Sequence, residues 1–450
     1  MAAKPFLPIS TARVTTAELV TTADAPFVAF SKDESRIIYS TPWRRLSDVT
    51  QVHLYPHSVH GHPLIRNRML HSQEAGRIAF TLGYEAAAGV DLPVGITPVD
   101  VATICKAAAH VHDLGHPPFA HVGEEVIRAF FSQHEVGQQV AKQLRPDQSD
   151  FFTHFEGNAQ TLRLLVSRYG GRAVPGLELT ASTVAATLKY PWTYQNRPVW
   201  LQHKVKYSVT PELEATVAAV AQALNLVPQT SGRGWARYPL AHLVEAADDI
   251  SYLIGDIEDA VRLGIIGFDQ AHDLLVPMLT ASERGQLPPA EAGTMQQMAY
   301  LQAKVIGQLA SATVAVWRDH LPSIVAGEFK GDLIKLTPWQ DRLRTLRDFS
   351  AEHIYTDRQK LQTEPLARAQ LSGVLAAYYS AYFEAQEYPD SLREQGIVRP
   401  RPWQNTDLSP ALLAQPLAIA GPAILDHILA MTDTGLQREA HRLRVVTPPI

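Results

Sequence analysis

The sequence predicts an all-α protein on three observations. Most long segments repeat apolar residues at i, i+3, i+4 and i+7, the period that keeps one helix face buried. Period-two alternation, the mark of half-buried strands, is scarce. The breaks between periodic segments carry Pro, Gly and polar clusters. The 450 residues are 46% apolar, enough for a sizeable core, and their formal net charge is −5. That balance does not point to nucleic acid or an anionic membrane as the main partner. One cysteine, Cys105, excludes an intrachain disulfide framework and fits a reducing, cytoplasmic compartment. The opening "MAAKPFLPIS" lacks the apolar core of a secretory leader. The apolar stretch "PALLAQPLAIAGPAILDHILAM" is interrupted by prolines, Gln415, Asp426 and His427, so no membrane span is expected.

Taken in order, residues 68–83 place His71, Ala75, Ile78 and Leu82 on one stripe. Residues 98–112 repeat Val101, Ile104, Cys105 and Ala108, with Thr97 and Pro98 as N-cap and first helical residue. That helix ends near His112, where Gly-His-Pro-Pro forces a turn. Helical patterns follow at 120–132, 155–168 and 211–225. Over 240–262, Leu243, Ala247, Ile250, Ile254, Ile257 and Val261 share one face, and Asp248, Tyr252, Asp256 and Asp259 the opposite one. Further patterns cover 295–320, 339–349, 357–386 and 410–431, with breaks near 55–67, 145–153, 170–180, 226–237, 283–290 and 387–409. No internal repeat is present. Beyond about 270 the chain is rich in Ala, Gln and Leu and poor in candidate chemistry. The reading is a helical core over 1–270 that holds the candidate chemistry, and a helical region over 271–450 that packs on it and forms subunit interface.

The chemistry concentrates in "HVHDLGHPPFAHVGEE", residues 110–125. A lone His-Asp pair says little in a chain with 18 histidines. Here His112 and Asp113 sit where a helix stops, so both side chains can turn into one cavity. Imidazole plus carboxylate suits Mn, Fe, Zn or Mg rather than Cu(I). His121 and Glu124, three apart on the next helix, share a face and carry proton-transfer chemistry. Two ligands are too few for a metal, and distant helices offer two more: His71, with Arg68 on the same face, and Asp248. Each has a plain alternative, a hydrogen-bonded histidine or a solvated acidic face.

The order His71, His112-Asp113, Asp248 resembles the HD-domain metal phosphohydrolases. Within them the chain resembles the bacterial deoxynucleoside triphosphate triphosphohydrolases, the dGTPase family. The matching stretches are "RIIYSTPWRRLSDVTQV", "RNRMLHSQEAGRI", "HDLGHPPFAHVGE", "HFEGNAQTLRLL", "LTASTVAATLKYPW" and "YPLAHLVEAADDISYLIGDIEDAV". They run in the family's order over residues 36–261; beyond 270 only "DHILAMTD" is similar. The chain departs at Leu70, before His71, where family members often carry Thr. It departs again at Thr434-Gly435, where the family usually shows Arg-Tyr.

The resemblance implies an HD-type helical core with additional C-terminal helices. It implies hydrolysis of a dNTP, dGTP-like, to deoxynucleoside and inorganic tripolyphosphate. One divalent metal per subunit (Mn or Mg, with Fe, Ni and Zn as further candidates) would be held by His71, His112, Asp113 and Asp248. His121 and Glu124 would handle the proton, with His154 a third candidate, because an alkoxide leaving group needs an acid. Phosphate would be gripped by Arg68, Lys189 and Lys204, with Arg237 and His116 as further contacts. Gln51, Tyr252 and Asp256 would meet the sugar, the Tyr252 ring crowding a 2′-hydroxyl. A homo-oligomer, hexameric or built from dimers, and weak single-stranded DNA contact are also implied. The alternatives are another HD-type phosphohydrolase, such as a 5′-nucleotidase or alarmone hydrolase, and a non-catalytic protein binding nucleotides or single-stranded DNA.

Overall fold

A computed structural model of the chain describes residues 6–15, 18–52, 65–166, 176–229, 234–387 and 406–445. The predicted breaks near 55–67, 170–180, 226–237 and 387–409 lie wholly or partly outside them, as do the first five residues. The described residues are predominantly helical, and their one sheet is the short antiparallel pair Arg13–Val14 with Leu19–Val20. No described helix is long and apolar enough to cross a membrane.

Two helices form the centre, Arg68–Ala87 and Pro98–Val111. Asn67 starts the first, its side chain accepting from the Leu70 amide. Thr97 and Asp100 close a capping box on the second, with Pro98 in the first turn. The two helices approach closely because small residues face each other. A methyl group added at Gly76 would lie 2.5 Å from the His110 ring. The helix Pro239–Arg262 crosses this pair and buries Leu243, Ala247, Ile250, Ile254 and Ile257. Its outer side is covered by the long helix Thr294–Val325.

The buried apolar residues fall into two clusters. One runs from Leu7 to Ile354 and contains the central pair and the Pro239–Arg262 helix. The other joins Phe119, Ile127, Phe130, Phe131, Phe152 and Phe155 to Tyr378, Tyr379 and the helix Leu417–Leu429. Residues beyond 270 thus contribute to both clusters.

Two local expectations differ from the structure. The pattern over 410–431 is two helices, Pro410–Leu413 and Leu417–Leu429, because Pro416 starts the second and cannot continue the first. The predicted break at 145–153 is the helix Pro146–Thr153, which begins on the proline that suggested a break.

Candidate active site

A cavity of about 630 Å³ opens where the two clusters meet. That volume is in the range of small-molecule sites. Two groups of chemically active residues face it or stand directly behind its wall.

The first group rests on the central helices. Arg68–Ala87 carries His71, the end of Pro98–Val111 delivers His112 and Asp113, and Pro239–Arg262 carries Asp248. The His71 and His112 rings lie 5.5 Å apart, edge to face. Asp248 Oδ1 is 3.1 Å from His71 Nε2 and 3.4 Å from His112 Nε2, and Asp113 Oδ1 is 3.4 Å from His112 Nε2. The outer nitrogens are tied back: His112 Nδ1 to the Ala109 carbonyl at 2.6 Å, and His71 Nδ1 to the Ser251 hydroxyl at 3.4 Å. Such ties orient imidazoles for coordination. His112 Nε2 is buried without a hydrogen bond, with two carboxylates beside it. This orphaned nitrogen belongs to a group in which His71, His112 and Asp248 bring their ligand atoms within 4.8 Å of one another, a set that fits a divalent cation of Mn, Fe, Zn or Mg type, while Asp113 stands beside it turned toward Arg68 and His116. Burial opposes charge on Asp248, yet the His112 and His71 imidazoles hold its carboxyl well below the usual range. Burial likewise opposes charge on His112, and Asp113 and Asp248 outweigh it, pushing it up to about 9.

Asp113 turns its other oxygen to the Arg68 guanidinium. Its Oδ1 is also 3.1 Å from His116 Nδ1. His116 in turn packs edge-on against His121, ring centres 5.0 Å apart. His116 therefore touches both groups.

The second group is His121 and Glu124, on the helix Ala120–Gln133. His121 Nδ1 is 3.1 Å from Glu124 Oε2, and Glu124 Oε1 accepts from the Gly157 amide at 2.7 Å. Glu124 is buried, while the His121 side chain is 67% exposed and lines the cavity. The Gly-His-Pro-Pro corner brings the pair opposite the first group. It does so through two consecutive left-handed residues, Phe119 at φ 62° and Ala120 at φ 54°, strained for side chains with a Cβ. Gly115 lets the corner lie against the helix Gly157–Val166, since a Cβ there would sit 2.1 Å from the Gly157 carbonyl oxygen.

The other expected residues distribute as follows. Gln51, Arg68, His116, Lys189, Tyr252 and Asp256 line the cavity with His112, Asp113, His121 and Asp248. His71 and Glu124 stand behind its wall. Lys189 is 3.4 Å from Glu245, and Arg237 is paired with the same carboxylate at 2.5 Å without lining the cavity. Asp256 accepts from the Tyr355 hydroxyl at 2.6 Å, and burial raises its carboxyl to about 6. His154 stands outside, stacked on Tyr194 with ring centres 3.8 Å apart. Lys204 is exposed and does not line the cavity; its amide closes a turn onto the Leu201 carbonyl. Lys206, two residues on, lines the cavity instead and pairs with buried Glu156 at 3.0 Å.

The sequence reading missed Lys206, Asn158, Tyr355, Lys360 and Glu364, all of which line the cavity, as does Asp249, which it held only as the alternative to Asp248. Asp249, beside Asp248 on a marked helix, carried a signal. Tyr355, Lys360 and Glu364 come from the region judged poor in chemistry, and no spacing announces them.

Known proteins of similar sequence carry consistent names. A deoxyguanosinetriphosphate triphosphohydrolase-like protein of Pseudomonas aeruginosa is 32% identical over 363 residues, spanning 79% of this chain and 80% of that protein. One of Synechocystis sp. is 30% identical over 372 residues, 80% of this chain and 82% of its own. A deoxyguanosinetriphosphate triphosphohydrolase of Salmonella typhimurium is 27% identical over 410 residues, 78% of this chain and 76% of its own. No family model matches the chain.

Proposed function

The chain belongs to the deoxyguanosinetriphosphate triphosphohydrolase family, and from that premise we propose that it hydrolyses dNTPs, dGTP-like substrates among them, to a deoxynucleoside and inorganic tripolyphosphate. The observation that carries this reading is the pairing of two groups on one cavity. A cation-suited His/Asp set and a His–Glu pair border it, each with one member lying behind the wall, and His116 is in contact with both.

In this reading His71, His112, Asp113 and Asp248 hold one divalent cation. When bound, such a cation supplies charge neutralisation and Lewis-acid polarisation of the α-phosphate. Arg68 has two duties: it fixes Asp113 and offers its remaining N–H groups to the phosphates. Lys189 and Lys206 extend the positive wall, and the carboxylates beside each keep it protonated. Catalysis of phosphoryl transfer rests mainly on such preorganised donors, which neutralise the charge of the triphosphate. Glu124 engages His121 Nδ1 and leaves Nε2 to move the proton at the attacked phosphate or at the departing 5′-oxygen. Tyr252 and Asp256 meet the sugar on the cavity's far side, with Tyr355 fixing Asp256. A homo-oligomer in the cytoplasm, and weak contact with single-stranded DNA, complete the proposal.

The test is a product assay with each of the four dNTPs, in Mn and in Mg, with and without a second nucleotide. Tripolyphosphate plus deoxynucleoside supports the reading. Phosphate or pyrophosphate as sole inorganic product assigns another phosphohydrolase, and salt-sensitive DNA binding without turnover assigns a binding protein.

A further inference from the structure

The last helix of the described chain, Asp433–Arg442, begins far from the cavity residues in sequence, yet its first residue touches the cavity's framework at two places. Asp433 is 7% exposed, and each of its oxygens accepts one backbone N–H. Oδ1 accepts from Phe119 at 2.8 Å, and Oδ2 accepts from Thr50 at 2.9 Å. Phe119 is the first of the two strained left-handed residues and lies two positions before His121. Thr50 precedes Gln51, and both line the cavity. One carboxylate therefore spans two walls of the site.

Arg45 reinforces the same junction from the other side. Its guanidinium donates to the carbonyl oxygens of Leu114 at 3.1 Å, His116 at 2.5 Å and Met431 at 3.0 Å. The Thr434 hydroxyl donates to Asp48 at 2.9 Å. The stretch 431–434 is thus keyed to the 45–50 segment and, through Arg45 and Asp433, to the catalytic corner.

We propose that Asp433 is a positioning residue for His121: its carboxylate holds the strained Phe119–Ala120 corner against the Thr50–Gln51 wall and so fixes the distance from the His121 imidazole to the substrate. A left-handed residue with a side chain persists only where its surroundings over-determine it. At Phe119 the constraint is this hydrogen bond together with burial of the ring. Without it the corner relaxes, His121 drifts, and a small misplacement of a proton-transfer group costs on the order of 10²-fold in rate. The inference rests on the proposed role of His121.

The test is a double-mutant cycle with Asp433→Asn and His121→Ala. An asparagine keeps the size but turns one oxygen into an N–H donor, so one of the two amides loses its acceptor. Alone, Asp433→Asn should lower kcat about 10²-fold with KM and bound metal changed less than about threefold. In the His121→Ala background it should cost less than about threefold, because a residue acting through His121 has nothing left to position. Equal costs in both backgrounds would overturn the proposal and assign a general structural role. Amide hydrogen exchange gives a readout independent of activity. Exchange at Phe119 or Thr50 should accelerate in Asp433→Asn, and unchanged protection at both overturns the tie itself. If the wild-type protein shows no dNTP turnover, the reading of His121 fails, while the exchange experiment still decides whether Asp433 holds the corner. Thr434→Val, which breaks only the neighbouring link to Asp48, is the control expected to leave kcat within about twofold. Should Asp433→Asn not fold, Asp433→Ser, which leaves at most one acceptor, enters the same cycle with the same criteria.

Discussion

Replacing Glu124 by Gln separates two roles of His121 that the native geometry permits. Glu124 Oε1 accepts from the Gly157 amide at 2.7 Å, so in Glu124→Gln the amide oxygen takes that place. Its NH₂ group then faces His121 Nδ1, 3.1 Å away in the native protein. A carboxylate at that position accepts from Nδ1–H and leaves a lone pair on Nε2. An amide N–H donates to Nδ1 and places the hydrogen on Nε2. The variant therefore holds His121 in the wrong tautomer for a base. Loss of a general base is expected to cost about 10²–10⁴-fold, and a mid-range 10³ corresponds to about 4 kcal/mol of barrier. If His121 activates the nucleophile, Glu124→Gln should fall near the high end and match His121→Ala. If His121 protonates the 5′-oxygen, the Nε2–H tautomer still donates and the loss should stay near 10². Combining Glu124→Gln with His121→Ala should add little, since the pair acts as a unit. Single-turnover rates and metal analysis on the three variants decide. A near-normal rate for His121→Ala refutes the reasoning, and loss of metal in that variant makes His121 a ligand.

Asp248→Ala should lose bound metal and turnover together, because its Oδ1 faces both imidazoles. A stoichiometric metal in the purified variant would transfer the assignment to Asp249. Tyr252→Ala should narrow the preference for dGTP over GTP; an unchanged or larger ratio of kcat/KM values removes Tyr252 from the sugar site. His242 is buried, and burial with Arg237 nearby lowers its imidazole to about 3. The unfolded chain takes up that proton below about pH 6.5 and the native one does not, so stability falls with falling pH by at most about 1.4 kcal/mol per unit between pH 6.5 and 3. His242→Leu should flatten the slope of Tm against pH in that window, and an unaltered slope counts against His242 as its source. Gly115→Ala should destabilise by about 3 kcal/mol in urea unfolding, since its Cβ would meet backbone at 2.1 Å; native-like stability would show that the corner can shift.

The parts of the site that were legible are those written within one helix or across one turn. His112-Asp113 at a helix end and His121/Glu124 at i, i+3 follow from local periodicity. So does Asp248, which stands opposite an unbroken apolar stripe. Residues on extended stretches were not legible: between 188 and 210 no period fixes which lysine turns inward, and a turn at Leu201–Lys204 sends Lys204 out and leaves Lys206 in. His154 stood as a third candidate in sequence, behind His121 and Glu124, and stacking on Tyr194 occupies its face. Tyr355, Lys360 and Glu364 arrive through the π-helical turn Ser350–Ile354 and the helix after it, a geometry no repeat encodes. Arg45 and Asp433 bind backbone groups, whose partners leave no trace in residue identity.

The two apolar clusters give the cavity a property that neither would have alone. His71, His112 and Asp248 are carried by helices of one cluster, and the helix bearing His121 and Glu124 belongs to the other. The candidate site therefore lies along a seam between two apolar clusters, and these are expected to loosen at different denaturant concentrations. Mild urea should abolish turnover while the metal-holding half keeps its helices, so inactivation would precede unfolding. Activity in this fold then reports on the registration of two bodies of structure rather than on the integrity of either.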